Sequence, residues 1–323
     1  MSVITAPGTS TMNHISFPGL GLELDLNRVA FVLFGRSVYW YGIIIAVGFL
    51  LAMTFCCRRA KTSGIRRDDI YDMLLAAVPL SFVGCRGYYV LFNLKEFQKD
   101  DGSMDWGQVI RISDGGIAIY GAVIAAALTL LVFCRWRKLS FLAFADLGVQ
   151  GLFIGQLIGR WGNFFNVEAY GSVTDAPWRM CSPTIARWLY GGGQIDEVTY
   201  QSILTGELGV HPTFLYESLW NLVGLVLVIY LSKKFYRFDG QLFLTYVSWY
   251  GLGRFWVEGL RTDSLYFFGL ELFGYPIRTS QVLALVSALV AVGVMAWRFI
   301  RLKNKPEQLY AQRIAQKEEN EEA

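Results

Sequence analysis

The chain has 323 residues, of which 54% are hydrophobic and only 17% are charged. Soluble domains average about 25% charged residues, and the charges here lie mostly between long apolar runs, which argues against a soluble α/β protein with buried helices. The net charge of +3 is too small to indicate nucleic-acid binding. The 5 cysteines have no metal-ligand spacing and there are only 2 histidines, so the sequence predicts no metal site and no cofactor.

Seven apolar runs follow one another along the chain, each near the ~20 residues that a membrane helix needs. The runs lie near 38–57, 70–93, 115–134, 141–164, 212–232, 240–259 and 279–299. We therefore predict an all-α integral membrane protein with about seven transmembrane helices. The third run is the least regular, because glycines and Asp114 stand at its start.

The distribution of basic residues predicts which side of the membrane each connection faces. Most lysines and arginines outside the runs follow the first, third, fifth and seventh. This bias places the N-terminus outside and the C-terminus in the cytoplasm. The predicted domains are an extracellular N-terminal segment (1–37), a polytopic membrane catalytic domain (38–300) and a charged cytoplasmic tail (301–323). The long connection at 165–211 is expected to form a small extracellular cap.

Polar and charged side chains within the apolar runs mark the candidate site, because an arginine at the centre of a membrane helix costs about 2.5–3.5 kcal/mol on insertion scales. Several of them recur three or four residues apart, which places them on one helix face. In the predicted orientation they converge at the level of the outer leaflet. They are Tyr41, Arg86, Gln156, Arg160, Asn163, His211, Glu217, Asn221, Tyr250, Arg254, Glu258 and Arg261.

The arginines have two interpretations. Arg254 can pair with Glu258 one turn away, which would satisfy both charges. Arg160 has only Glu168 as an obvious local acid, and Glu168 is expected past the end of its helix. At least one guanidinium is therefore expected to meet an anion. The planar fork of arginine suits phosphate, and the anion available at that depth is a phospholipid head group.

Two other classes of function remain open on the residues alone. A transporter or channel for an anionic solute would also use charges at the outer end of the spans. Such a path needs polar side chains through the full depth, whereas the inner half carries only Asp146 and Gln150. A receptor or assembly scaffold would leave the arginines without an anion to meet.

Five motifs, in a fixed order, carry a resemblance to a known family. They are VYWYGIIIAVGF (38–49), GCRGYYVLFN (84–93), GRWGNFFNVEAYG (159–171), HPTFLYES (211–218) and YGLGRFWVEGLRTD (250–263). In these motifs, over about 38–300, the chain resembles the bacterial phosphatidylglycerol–prolipoprotein diacylglyceryl transferase family. The resemblance implies a multi-pass enzyme of the bacterial cytoplasmic membrane. It would transfer the diacylglyceryl group of phosphatidylglycerol to the lipobox cysteine thiol of a prolipoprotein signal peptide, forming a thioether and releasing glycerol 1-phosphate.

The resemblance and the chemistry together assign candidate roles. The reaction needs a group that takes the proton of the thiol, whose free pKa is about 8.5, and donors that stabilise the leaving phosphate. Candidates for the proton acceptor are His211, Glu258, Glu217 and Glu168, and a carboxylate is favoured. The predicted phosphatidylglycerol-binding residues are Arg160, Asn163, Asn166, Glu168, Gly171, Arg86 and Arg261. The predicted catalytic residues are Arg254, Glu258, His211, Glu217 and Tyr41.

The block after the second span departs from the family pattern at Tyr120 and Ala122. Members often have a histidine in the block that follows the second span, and this chain has Tyr120 at that position. A histidine there cannot be the base in this protein, so the site uses another base or the family's histidine never had that role.

Overall fold

Helices make up most of the residues that the computed structural model describes, which are 11–99, 101–111, 115–261, 266–272, 275–304 and 307–322. For 266–272 and 275–277 the description covers the backbone alone. The α-helices are α1 (Trp40–Arg59), α2 (Arg67–Phe92), α3 (Trp106–Ile110), α4 (Ile119–Arg137), α5 (Phe141–Asn166), α6 (Pro183–Gly191), α7 (Glu197–Thr205), α8 (Thr213–Lys234), α9 (Gln241–Leu260), α10 (Thr279–Asn304) and α11 (Tyr310–Glu322).

Short antiparallel strand pairs and single turns of 3₁₀ helix occupy the connections. The strands are β1 (Met12–Phe17), β2 (Leu22–Asn27), β3 (Val29–Leu33), β4 (Arg36–Tyr39), β5 (Val173–Thr174), β6 (Gly209–Val210), β7 (Tyr266–Leu272) and β8 (Tyr275–Arg278). The pairs are β1–β2, β3–β4, β5–β6 and β7–β8. The 3₁₀ turns are Pro18–Leu20, Ala60–Ser63 and Leu94–Phe97.

Each of the seven predicted spans coincides with a helix, namely α1, α2, α4, α5, α8, α9 and α10. Within the described residues, 6 of these helices are long and apolar enough to cross a membrane. The seventh, α9, has 20 residues, but tyrosines, tryptophans, glycines and an Arg–Glu pair lower its hydropathy. The prediction of a multi-pass, all-α membrane protein is therefore confirmed, while the count of seven and the orientation stay predictions.

The chain divides into two compact units, and the larger comprises Met1–Thr54, Val149–Arg237 and Gln241–Glu307. Its long helices pack closely through small residues. A Cβ built on Gly251 of α9 would lie 2.6 Å from the Ala284 oxygen of α10, and one on Gly253 would lie 2.2 Å from the Trp220 ring of α8. Close approach at small residues is typical of membrane helices.

The segment predicted as a cap folds as part of this unit. It contains β5, α6, α7 and β6. The β1–β2 hairpin joins it, because the backbone groups of Ser16 and Cys181 exchange hydrogen bonds of 2.9 and 2.8 Å. The sequence did not predict these N-terminal strands, and residues 1–10 of the predicted N-terminal segment lie outside the description. The buried core includes Ile15, Phe17, Phe164, Met180, Ile185, Leu189, Ile203 and Val210.

The second unit comprises Phe55–Gly148, Phe238–Gly240 and Gln308–Ala323. In it α2 and α4 cross at Gly84 and Gly121, where a Cβ on Gly121 would lie 2.1 Å from the Gly84 oxygen. Within the predicted cytoplasmic tail, Tyr310 is buried at the start of α11. The Tyr310 backbone N–H donates to Asp239 Oδ2 at 2.9 Å, so the first turn of this helix is held in place.

Candidate active site

A buried carboxylate, Glu217 of α8, lies at the centre of the candidate site. Arg160 of α5 forms an ion pair with Glu217 Oε2 through its Nη2. Arg254 Nη1, from α9, lies 4.0 Å from Oε2. Arg261, the residue that follows the end of α9, has its Nη1 3.9 Å from Oε1. The Glu217 side chain is only 7% exposed. Three helices thus bring three arginines of the described chain around one carboxylate.

A second carboxylate, Glu258, lies on the same helix as Arg254. Glu258 Oε2 forms an ion pair of 2.6 Å with Nη2 of Arg254, which lies four residues earlier. The Glu258 side chain is 4% exposed. The predicted Arg254–Glu258 pair is therefore confirmed. Together the described arginines Arg160, Arg254 and Arg261 and the carboxylates Glu217 and Glu258 leave one net positive charge.

The expectation that Arg160 has only Glu168 as an acid is wrong. Its partner is Glu217, which is distant in the chain and comes close because α5 packs against α8. The same contact surface includes Ser218, whose Oγ donates to the Leu157 oxygen at 2.9 Å and accepts from Trp161 Nε1 at 3.2 Å. These bonds fix the register of the two helices, so the guanidinium and the carboxylate meet.

Glu168 instead organises the end of α5. Its Oε1 accepts from Asn163 Nδ2 at 2.9 Å and from Asn166 Nδ2 at 3.2 Å. Three of the predicted lipid-binding residues therefore form one polar cluster. The Glu168 backbone N–H also donates to the Asn163 oxygen at 3.1 Å, which closes the helix end in the manner of a Schellman turn.

The backbone of this loop is strained at two positions. Val167 has a φ of 54° and Ala169 a φ of 57°. The left-handed region costs a non-glycine residue roughly 1–2 kcal/mol, and a β-branched residue there is a genuine outlier. Val167 is buried, so packing holds it in place. Such strain persists where the surrounding structure determines it, often next to a functional site.

Gly171 is where three segments of the chain meet. Its N–H donates to the His211 oxygen at 2.9 Å, and the next N–H, of Ser172, donates to the Leu260 oxygen at 2.6 Å. A Cβ on Gly171 would lie 2.8 Å from His211 Cβ and 3.0 Å from the Leu260 oxygen. Close backbone approach therefore accounts for a glycine here. We name the meeting of Gly171–Ser172, His211 and Leu260 the loop junction.

His211 is held by a hydroxyl rather than by a carboxylate. Its Nδ1 lies 3.1 Å from the Tyr216 hydroxyl, and that oxygen accepts from Trp178 Nε1 at 2.5 Å. Burial lowers the pKa of His211. The Tyr216 hydroxyl thus engages one ring nitrogen of His211, whereas the carboxylates of Glu217 and Glu258 lie among the arginines.

Tyr41, at the start of α1, lies against α5 at Gly162. A Cβ on Gly162 would lie 2.7 Å from Cδ2 of the Tyr41 ring, so glycine at this position lets the aromatic ring approach the helix two residues from Arg160. The Tyr41 residue is 39% exposed. The structure thus packs the Tyr41 ring on α5 and leaves the residue partly exposed.

Arg86, a predicted lipid-binding residue, contacts a loop of the protein itself. It belongs to the second unit and is 8% exposed. Its guanidinium donates only to backbone oxygens among the described residues, which uses the donor capacity of an arginine. Arg86 is therefore better suited to holding the loop before α4 than to binding phosphate. The acceptors, at 2.6 to 3.0 Å, are the oxygens of Gln108, Val109, Arg111, Gly115 and Gly116.

Two arginines outside the predicted set contact the ends of the site helices. Arg278 Nη1 donates to the Glu258 oxygen and to the Arg261 oxygen at 3.0 Å. Arg28 Nη2 donates to the Asn166 oxygen at 3.1 Å. Cations are favourable at helix C-termini, where backbone oxygens lack partners. No local pattern marks either residue, because both contacts join distant parts of the chain.

The model of the family "Prolipoprotein diacylglyceryl transferase" matches residues 28–297. The chain belongs to this family. The matched range includes every predicted site residue from Tyr41 to Arg261. The phosphatidylglycerol–prolipoprotein diacylglyceryl transferase of Lysinibacillus sphaericus is 39% identical over 290 residues, which cover 90% of this chain and 97% of the relative.

Relatives in other bacteria carry the same name. The protein of Lactobacillus acidophilus is 41% identical over 285 residues, which cover 88% of this chain and 93% of the relative. The protein of Clostridioides difficile is 36% identical over 280 residues, which cover 87% of this chain and 98% of the relative. The likeness to these transferases therefore extends over nearly the whole chain.

Proposed function

We propose that the chain transfers the diacylglyceryl group of phosphatidylglycerol to the lipobox cysteine of prolipoproteins, in the bacterial cytoplasmic membrane. The observation that carries the proposal is the convergence of Arg160, Arg254 and Arg261 on one buried site. With its two carboxylates this cluster has a net charge of +1, which one phosphodiester anion neutralises. The names of the relatives supply phosphatidylglycerol and prolipoprotein as the substrates.

The reaction is a displacement at carbon. The cysteine sulfur attacks the glyceryl carbon that bears the phosphate, an S–C bond forms, and the C–O bond breaks. Its electron pair leaves on the phosphate oxygen as glycerol 1-phosphate, and the thiol proton passes to a base. The nucleophile belongs to the substrate, so the protein needs no nucleophile of its own.

The arginines stabilise the charge that develops on the leaving phosphate. Guanidinium groups already held by Glu217 and Glu258 need little reorganisation, and preorganised donors in a water-poor site contribute strongly to catalysis. Arg160 of α5, whose side chain reaches Glu217 of α8, is the main candidate for stabilising the phosphate, with Arg254 and Arg261 as further donors. A bidentate contact from one guanidinium would orient the phosphate for attack.

The base is a carboxylate, and Glu217 and Glu258 are the two candidates in the cluster. Both are buried, so a proton moved onto either is shielded from water. The Asn163–Glu168–Asn166 cluster and Tyr41 border the site and would position the glyceryl and head groups. Gly171 supports the loop junction instead of contacting lipid.

A transfer assay tests the proposal. The purified protein is reconstituted in nanodiscs that contain phosphatidylglycerol, and a peptide with a lipobox cysteine is added. Mass spectrometry should show a peptide that gains one diacylglyceryl group. A peptide with serine in place of the cysteine, and nanodiscs of phosphatidylethanolamine alone, should give no product. Folded protein that leaves the cysteine peptide unmodified would contradict the proposal.

A further inference from the structure

The inference concerns Glu217, the carboxylate that fills the space between the arginines. We propose that Glu217 occupies the phosphate site while no lipid is bound, that the phosphate of phosphatidylglycerol displaces it, and that the displaced carboxylate then accepts the proton of the cysteine thiol. This inference rests on the proposed function and deepens it, since it makes lipid binding the event that prepares the base.

The first argument is the match between the carboxylate and a phosphodiester. Glu217 offers one negative charge on two oxygens, and each oxygen faces guanidinium groups: Oε2 faces Arg160 and Arg254, and Oε1 faces Arg261. A phosphodiester also offers one negative charge on two non-bridging oxygens, and arginine binds both anions with the same fork geometry. The same donors can serve either anion, but they cannot serve both fully.

The second argument is the contrast with Glu258. Glu258 pairs with Arg254 at 2.6 Å within a single helix, so this pair can keep its geometry whatever binds nearby. Glu217 instead reaches from α8 to arginines on other segments. It has one close contact, with Arg160 of α5, and two contacts as long as 3.9 and 4.0 Å, with Arg261 and Arg254. Contacts of that length are longer than hydrogen bonds. Glu217 is therefore the more readily displaced of the two carboxylates.

The third argument is a buried acceptor beside Glu217 that has no donor. Asn221 lies one turn further along α8, and its Nδ2 donates to the Glu217 oxygen at 2.7 Å. Its Oδ1 has no hydrogen-bond partner within the described residues, although the residue is only 3% exposed. A buried acceptor without a donor has lost its hydrogen bonds to water without replacement. A carboxylate holds no proton to donate, whereas a protonated Glu217 could donate to Asn221 Oδ1.

These observations give an order of events. The phosphate takes the guanidinium groups, and Glu217 loses its ion pairs while it stays away from water. A buried carboxylate without a positive partner is most stable when it takes up a proton. The thiol of the bound peptide supplies that proton, the thiolate attacks, and glycerol 1-phosphate leaves. When the product departs, Glu217 releases the proton to solvent and returns to the arginines.

The test separates binding from turnover. Glycerol 1-phosphate, the proposed product, is titrated calorimetrically into the purified full-length protein in a neutral detergent, without lipid or peptide. Because Glu217→Gln removes the competing charge, it should bind glycerol 1-phosphate about tenfold more tightly than the wild type, a change equivalent to ~1.4 kcal/mol. With phosphatidylglycerol and peptide present, kcat of Glu217→Gln should fall by about 10²–10⁴, the usual loss when a general base is removed.

A second variant guards against misfolding of the first. Glu217→Asp keeps the charge but shortens the side chain by one methylene, so it should also bind glycerol 1-phosphate more tightly than the wild type, by a smaller factor. Glu307→Gln is the matched control. It removes a carboxylate that pairs with Arg298 at 2.8 Å in a different part of the larger unit, and both constants should stay unchanged. Thermal melting verifies that each variant is folded.

The outcomes are distinct. If folded Glu217→Gln and Glu217→Asp bind glycerol 1-phosphate no more tightly than the wild type, Glu217 does not compete for the phosphate site. If binding tightens but kcat of Glu217→Gln is unchanged, Glu217 is not the base and the inference also fails. A wild-type protein that transfers nothing refutes the proposed function, while the binding comparison still decides whether the carboxylate is displaced.

Discussion

Arg160 is held in place by its ion pair with Glu217. Its side chain is 21% exposed, so it is largely withdrawn from water yet open on one side. Arg160→Ala should abolish transfer while the protein still inserts, because loss of one preorganised donor reduces kcat by about 10²–10³. Arg160→Lys should restore little, since an ammonium cannot form the bidentate contact. The nanodisc assay measures both variants, and near-normal turnover of Arg160→Ala would remove it from the phosphate site.

Tyr120 is a residue at which this chain departs from its family. It lies on α4 in the second unit, with 47% of its surface exposed and its ring 6.3 Å from that of Tyr88. Phenols keep their proton at neutral pH, so Tyr120 is not expected to be the base. Tyr120→Phe should lower activity modestly, and Tyr120→His should be tolerated. Complete inactivation of folded Tyr120→Phe in the transfer assay would make the hydroxyl a participant in the proton step.

Along α9, regular helical spacing arranges the charges of the site. Arg254 and Glu258 are one turn apart and contact each other at 2.6 Å. Removing one partner of a buried pair leaves an uncompensated charge, which lowers the free energy of unfolding by about 3–5 kcal/mol. The stability losses of Arg254→Gln and Glu258→Gln, added together, should therefore exceed the loss in the double variant. Thermal melting of the four proteins gives the coupling energy, and simple additivity would show that the pair is not coupled.

The loop junction depends on the absence of a side chain at Gly171. Gly171→Ala would place its Cβ 2.8 Å from His211 Cβ and 3.0 Å from the Leu260 oxygen, and overpacking of this kind costs about 1–3 kcal/mol. We expect a lower melting temperature and a lower yield. Gly155→Ala on α5, where a Cβ meets nothing within 4 Å, is the control and should keep the wild-type melting temperature. Equal stability of the two variants would contradict the role of Gly171 in the junction.

At the scale of the whole molecule, the orientation in the membrane remains a prediction. The bias of basic residues places the cap outside and the end of α8 in the cytoplasm. A membrane-impermeant maleimide should label Gly192→Cys, which lies in the exposed turn after α6, in intact cells. Lys234→Cys, at the exposed end of α8, should be labelled only after permeabilisation. The unmodified chain gives the background labelling of the native cysteines. The reverse labelling pattern would show that the chain has the opposite orientation.

Local features of the sequence predicted the helices well. The seven apolar runs match α1, α2, α4, α5, α8, α9 and α10 within a few residues, because hydrophobicity adds up along a single segment. The sequence did not predict the strands or α11. Tyr310 is buried through contacts with distant residues, and the β1–β2 hairpin joins the cap through Ser16 and Cys181, so neither feature leaves a strong local pattern.

The sequence by itself determined the class of protein, the long apolar helices and the residues proposed for the candidate site. Only the tertiary structure decided which of those residues face one another. Arg160 pairs with Glu217 and not with Glu168, whereas Arg86 donates its hydrogen bonds to a loop in the second unit. The physical reason is the range of the interactions. Helix formation and membrane insertion depend on neighbouring residues, while an ion pair depends on how separate helices pack and in which register.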